Sequence, residues 1–227
     1  MGRYGIDMGH TLSGLGTGAV GIVREIDKNR EVGKRLIQML EEKSHTVVNC
    51  TVDLSSNDLA DRVRKANAQT LDLFVSLHLN AFNGSADGVE TYIYNQNYNG
   101  KEANGAIAKR INDEVAESVN FRNRGVKEEN FYVLRETVAP AVLVELGFCD
   151  SSVDMNKWNT EKIAAALFKG ITGQIYSKPV INPPTTSSGD IYYRVCVGSY
   201  KDKANAIKQQ ENLKSKGFDS FLVAYQS

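Results

Sequence analysis

The chain has 227 residues, with 27 basic against 27 acidic side chains, 41% hydrophobic and 8% aromatic residues. At about 150 residues per domain this is one to two domains, and ordinary apolar content with mixed charge excludes wholesale disorder. Zero net charge argues against a nucleic-acid binder built on a broad basic face, and no apolar run approaches the roughly 18 residues of a membrane-spanning helix.

In chain order, RYGIDM reads as a short strand, and IDKNREVGKRLIQMLEEK as a helix with Val32, Leu36, Met39 and Leu40 on one face. HTVVNCTV is a strand. NDLADRVRKANAQ is a helix with Leu59, Val63 and Ala66 inward and Ser56 as its cap. LDLFVSLHL is a nearly continuous apolar strand, and GVETYIYN alternates like an edge or antiparallel strand. KEANGAIAKRINDEVAESV is a long helix, FYVLRE and AVLVELGF are strands, and TEKIAAALFKGITGQIY is a closing helix. Strands interleaved with helices predict an α/β fold: a twisted, mostly parallel sheet with helices on both faces.

Three of the four prolines, Pro179, Pro183 and Pro184, fall within SKPVINPPTTSSG. This stretch has no periodicity and reads as a linker over 177–189, between a body at 1–176 and a tail at 190–227. The tail reads strand–helix–strand, with Ala204, Ile207 and Leu213 at helical spacing and Gly217 as a natural helix end. Cys50, Cys149 and Cys196 are odd in number and form no CxxC, so they are expected to be free, buried thiols.

Histidine is scarce, and two of the three end predicted strands: His10 after GIDMG and His78 after LFVSL. Ligands of open α/β sheets bind beyond the carboxyl ends of strands. Two imidazoles on one rim either share a metal or are satisfied histidines near a sheet edge. His45 lies at a helix–strand turn and reads as a solvated loop residue. Glu25 falls at the start of the first helix, where a carboxylate also suits the helix dipole. Glu145 interrupts the apolar run AVLVELGF. A carboxylate in a buried strand costs several kcal/mol unless paired, neutralised or next to a metal, and desolvation suits it to proton transfer near neutrality. Glu90 sits in an alternating strand and reads as solvated. Gly14, Gly16, Gly18 and Gly21 read as a flexible loop over the His10 rim. Two histidines, a carboxylate ligand and a separate glutamate make a set suited to catalytic zinc, which lowers the pKa of water and polarises a carbonyl. HExxH, GxSxG and phosphate-loop motifs are absent from the sequence.

IDMGH, REIDKNREVG, DLADRVRKANAQ, LFVSLHLNAF, GVETYIY, NRGVKEENFYVLRE and PAVLVELGF follow in the order found in zinc-dependent N-acetylmuramoyl-L-alanine amidases of the amidase_3 type, which the chain resembles over roughly residues 3–176. The resemblance implies Zn2+ held by His10, Glu25 and His78, with Glu145 as the catalytic glutamate. It also implies cleavage, in bacterial peptidoglycan, of the amide joining N-acetylmuramic acid to L-alanine. The sequence departs from the family's glycine-rich GHGG stretch, with GHTLSGLGTGAVG in its place, and LHLNA replaces IHANA. Asn80 and Arg135 are candidate substrate contacts. Arg62 and Arg64 recur in the family pattern but read as a solvated helix face with an Asp58–Arg62 pair.

The tail resembles one half of a SPOR domain, a peptidoglycan-binding module. At about 38 residues it falls below the size that usually folds alone, so a homodimer that pairs two tails is expected. The N-terminus shows no secretory h-region. The expectation is therefore cytoplasmic synthesis and release onto the wall, through a phage holin lesion or lysis of a mother cell. Competing readings are a non-catalytic wall-binding protein and a zinc peptidase cutting within the stem peptide.

Overall fold

The computed structural model describes residues 1–13, 16–178, 198–218, 220 and 222. The strands β1 (Arg3–Met8), β2 (Thr46–Asn49), β3 (Leu73–Asn80), β4 (Val89–Tyr94), β5 (Asn123–Glu129) and β6 (Ala141–Phe148) form one sheet in the order β2-β1-β3-β6-β4-β5. The β4–β6 pair is antiparallel and the other pairs are parallel. This is the mostly parallel α/β sheet expected, with β4 antiparallel but inside the sheet.

Side chains alternate between the two faces of a strand, and here both faces are covered. On one, Ile6, Val75, Leu77, Val142, Val144 and Leu146 pack with the buried residues of α1 (Glu25–Glu42), α3 (Lys101–Val119) and α6 (Thr160–Thr172). On the other, Phe74, Ala141 and Leu143 pack with Val63 and Ala66 of α2 (Asp58–Asn67) and Val133 and Leu134 of α4 (Tyr132–Arg135). This second cover stops short of the strands' carboxyl ends, and His78, Asn80, Glu90 and Glu145 share that face beyond it.

Several local expectations change. FYVLRE is not a strand. Its YVLR is the single turn α4, which places the adjacent Val133 and Leu134 in one core cluster. The strand is the preceding NRGVKEE, an edge strand whose charged residues signal solvent rather than core. Leu59 is exposed, and Ser55 rather than Ser56 bonds at the start of α2, accepting from Asn57 N and donating to Asp61. His45 is buried: its Nδ1 accepts from Gly2 N, and its ring packs against Tyr4 and Phe168. Cys50 and Cys149 are buried free thiols, pushed by burial to about 12 and about 11; Cys196 lies outside the described residues. A short α5 (Ser152–Lys157) is capped by Ser151, and α6 by Asn159.

The chain divides into two compact units, residues 1–180 and 181–227. In the second, α7 (Lys203–Ser215) is capped by Asp202, which accepts from Ala204 N and Asn205 N. Most of the linker and of the tail's two predicted strands fall outside the described residues. Among the described residues no helix is long and apolar enough to cross a membrane.

Candidate active site

Three separate elements deliver His10, Glu25 and His78 to one point. His10 lies two residues beyond β1, Glu25 opens α1, and His78 sits near the end of β3. Glu25 Oε1 is 3.0 Å from His10 Nε2 and 3.0 Å from His78 Nδ1, and the two ring nitrogens are 3.2 Å apart. Glu25 is further fixed by Leu79 N, which donates to Oε1, and Ala19 N, which donates to Oε2. Burial opposes its ionisation, but the bonds and charges of His10 and His78 outweigh this and hold its carboxyl far below the usual range. Burial likewise pulls the His10 imidazole down, and the bond and charge of Glu25 more than offset it.

His10 Nδ1 lies 3.0 Å from the carbonyl of Gly16. A carbonyl only accepts, so Nδ1 carries a proton, which leaves Nε2 as the nitrogen a metal would take, the orientation of a metal-binding histidine. A tetrahedral zinc with bonds of about 2.0–2.1 Å needs donor atoms roughly 3.3 Å apart. Two imidazole nitrogens and one carboxylate oxygen at this spacing fit such an ion.

His10 has a left-handed backbone (φ 66°), uncommon for a residue with a side chain. Arg30 and Arg62 hold it there, each donating to its carbonyl at 2.7 Å. Arg62 is not on a solvated face. It is 1% exposed, pairs with buried Asp7 as well as Asp58, and donates to the carbonyls of Met8 and Val52. The described part of the glycine loop is tied down on the site: Ile22 N and Val23 N donate to the Cys149 carbonyl, and Gly18 leaves no room for a side chain against Glu25 and His10. Gly14 lies outside the described residues.

Glu145 is the register neighbour of His78 across β3–β6 and of Glu90 across β6–β4. Its Oε2 is enclosed without a hydrogen bond to any described residue. Desolvation, with the charges of Glu25 and Glu90, pushes its carboxyl well above the ordinary value. Three side chains that could hold a metal ion thus stand beside a carboxyl whose affinity for a proton is raised by burial and by neighbouring charges.

Residues 5–177 match the family profile described as N-acetylmuramoyl-L-alanine amidase. The chain belongs to the N-acetylmuramoyl-L-alanine amidase family. Residues 157–224 also match the SPOR domain profile. The overlap takes in α6, whose Ile163, Leu167 and Phe168 are buried in the core of the amidase-family unit. A sporulation-specific N-acetylmuramoyl-L-alanine amidase of Bacillus subtilis (strain 168) is 37% identical over 165 residues, covering 73% of this chain and 62% of that protein. The N-acetylmuramoyl-L-alanine amidase CwlM of Bacillus licheniformis is 29% identical over 220 residues, covering 96% of this chain and 83% of that one. Among solved structures, the catalytic domain of the CD27L endolysin targeting Clostridia difficile superposes with a TM-score of 0.69 at 28% identity, covering 78% of this chain and all of that one.

Two further placements in the amidase-family unit differ from the sequence reading. Glu90 is not solvated. It is 2% exposed and accepts from Asn80 Nδ2, Tyr92 OH, Arg124 Nε and Lys127 Nζ. Asn80 therefore reaches the site through Glu90, while its own Oδ1 accepts from Ala81 N. Arg135 ends α4, at the chain segment that leads into the amino end of β6, and its guanidinium is held by Glu136 and Asn130. The structure does not bring it to the His10–Glu25–His78 cluster. Arg124 and Lys127 carry no sequence signal, because their strand has a single apolar residue, Val126, and so no strand pattern.

Proposed function

We propose that His10, Glu25 and His78 hold a zinc ion and that Glu145 carries the proton in hydrolysis of the peptidoglycan amide joining N-acetylmuramic acid to L-alanine. The observation that supports this most directly is the triangle of donor atoms 3.0–3.2 Å apart beside the enclosed Glu145 carboxyl. Bound zinc supplies Lewis-acid polarisation and a lowered water pKa. Glu145 accepts a proton from the attacking water and donates it to the departing alanine nitrogen, a role its raised affinity for protons suits. Arg30 and Arg62 fix His10, and Glu25 opens α1, where the helix dipole favours its charge.

Digestion of purified peptidoglycan tests the reading. The expected products are stem peptides with a new L-alanine amino terminus, lost on chelation and restored by zinc, identified by mass spectrometry. Cleavage inside the stem would replace this reading with a peptidase. Tight wall binding without soluble product would leave a binding module.

The SPOR match supports a tail that holds the wall while the larger unit cuts. We also propose that tails pair between two copies. None of the residues of α7 is buried among the described residues, as expected of half a module lacking its other half. Light scattering on the full chain is expected to give a dimer, and a monomer at all concentrations would sink the pairing.

A further inference from the structure

We propose that Arg124 is a specificity-determining residue that binds a carboxylate on the peptide side of the scissile amide, one residue beyond L-alanine. The inference rests on the amidase reading above and names a substrate feature that reading leaves open.

A cavity of about 280 Å³ lies at the carboxyl ends of β3 and β6, lined by Asn80, Ala81, Phe82, Ala86, Arg124 and Phe148. It lies just beyond the reacting groups along β3 and β6. Asn80 is two residues past His78, Phe148 is three past Glu145, and Asn80 and Phe148 are register partners. Its walls are apolar except for Asn80 and Arg124. Both atoms of the Asn80 amide are engaged, by Glu90 and by Ala81 N. Arg124 uses Nε on Glu90 and Nη1, at 3.3 Å, on the Asp87 carbonyl, while its guanidinium lies 5.0 Å from the centre of the Phe148 ring. No described residue accepts a hydrogen bond from Nη2.

Glu90 is one carboxylate bonded by two cations, Arg124 and Lys127. A guanidinium beside a half-enclosed, largely apolar cavity favours an anion, and with its Nη2 uncommitted it can offer a fork edge to a planar carboxylate. The contact of Arg124 with Phe148, three residues past Glu145 on β6, places its guanidinium nearer the site than its strand. β5 lies two strand spacings, roughly 10 Å, from β6, and an extended peptide covers about 3.5 Å per residue. A guanidinium reaching back over Phe148 meets the residue after the alanine, with Phe82, 73% exposed, left to cover the peptide's apolar atoms.

The test uses two muramoyl tripeptides whose second residue is a glutamate joined onward through its side-chain carboxyl, identical except that its α-carboxyl is free in one and a carboxamide in the other. The wild-type chain is expected to prefer the carboxylate by on the order of tenfold in kcat/KM, the scale of one charge-assisted hydrogen bond. Arg124→Gln is expected to bring that ratio near one through a raised KM for the carboxylate substrate, and Arg124→Lys to recover only part of it. Equal rates on both substrates with wild type, or an undiminished ratio in Arg124→Gln, would overturn the inference and leave the amidase reading intact. The wild-type ratio decides even if the variants fail to fold. Cleavage of neither tripeptide between the muramoyl group and alanine would overturn both.

Discussion

Arg62 Nη2 donates to the backbone oxygen of His10 at 2.7 Å, so a residue of α2 sets the backbone of a candidate metal ligand. The same guanidinium neutralises Asp7, which also accepts from Ser76 Oγ at the centre of the sheet. Truncating one member of a buried pair strands the other's charge and costs about 3–5 kcal/mol. Arg62→Ala is therefore expected to lose stability on that scale in urea unfolding, and to bind zinc more weakly because His10 loses one of its two anchors. Arg62→Lys should not restore either property, since one ammonium cannot reach the five acceptors that the guanidinium fork serves. A variant with an unchanged midpoint and zinc affinity would show that the Asp7–Arg62 pair contributes nothing to the site.

Glu145 presents the opposite balance. Its Oε2 is enclosed without a hydrogen bond from the described residues, and its neighbours Glu25 and Glu90 repel its charge. Glu145→Gln removes that repulsion while keeping the shape, so the folded protein should be as stable as wild type or more so, as strained functional sites often allow. Turnover on peptidoglycan should fall by roughly 10²–10⁴, with zinc content retained. Thermal unfolding, metal analysis and the digestion assay measure the three quantities on one preparation. Turnover near wild type would remove Glu145 from proton transfer.

How far the sequence was readable depended on whether a residue's role was local. The strands β1, β3 and β6 are legible because both faces are buried and their runs are mostly apolar, and His78 and Glu145 stand out as polar interruptions of those runs. His10 and Glu25 were legible as chain ends of regular elements. Arg62 was not, because a pattern of i,i+4 charges on a helix looks the same whether the helix faces water or, as here, covers Asp7. Glu90 failed for a related reason. Alternation implied a wet face, whereas Tyr92, Arg124 and Lys127 close over it from its own and the neighbouring strand. His45 and β5 were missed because burial by a chain terminus and pairing at a sheet edge are both set by partners distant in sequence.

Gly9 offers a test of the metal site that leaves the identity of every ligand unchanged. A Cβ at this position would land inside the His78 imidazole, and its own backbone amide donates to the Leu77 carbonyl at 2.9 Å. Gly9→Ala is thus expected to displace His78 while β1 stays paired. Its zinc affinity should drop by one to two orders of magnitude, about the effect of losing a ligand's orientation. His78→Ala, which removes the ligand itself, should lose bound zinc altogether. In wild type, added zinc should raise the melting temperature by mass action on the folded state, and both variants should respond less. Full zinc content in His78→Ala would exclude it from the ligand set.

Acid stability should report on Glu90. Burial opposes its ionisation, but the hydrogen bonds from Lys127, Arg124 and Tyr92 prevail and hold its carboxyl below the ordinary value of 4.5. A carboxyl whose folded pKa is depressed binds fewer protons than the unfolded chain does in that window. Its contribution to stability is therefore complete above the unfolded value and is lost as pH falls through the folded one. The groups facing it are Arg124, Lys127, Tyr92 and, across the β4–β6 register, Glu145. Glu90→Gln keeps the shape but leaves two cations on a neutral amide. At pH 7 it should be less stable than wild type by about 1–3 kcal/mol, the cost of weakening charge-assisted bonds to a buried group. The gap should close as the pH is lowered from 5 towards 3, because only wild type has a carboxylate there to lose. Urea midpoints of the two proteins across that range decide the matter: curves that stay parallel would mean that Glu90 is not the anion holding Arg124 and Lys127 at the rim.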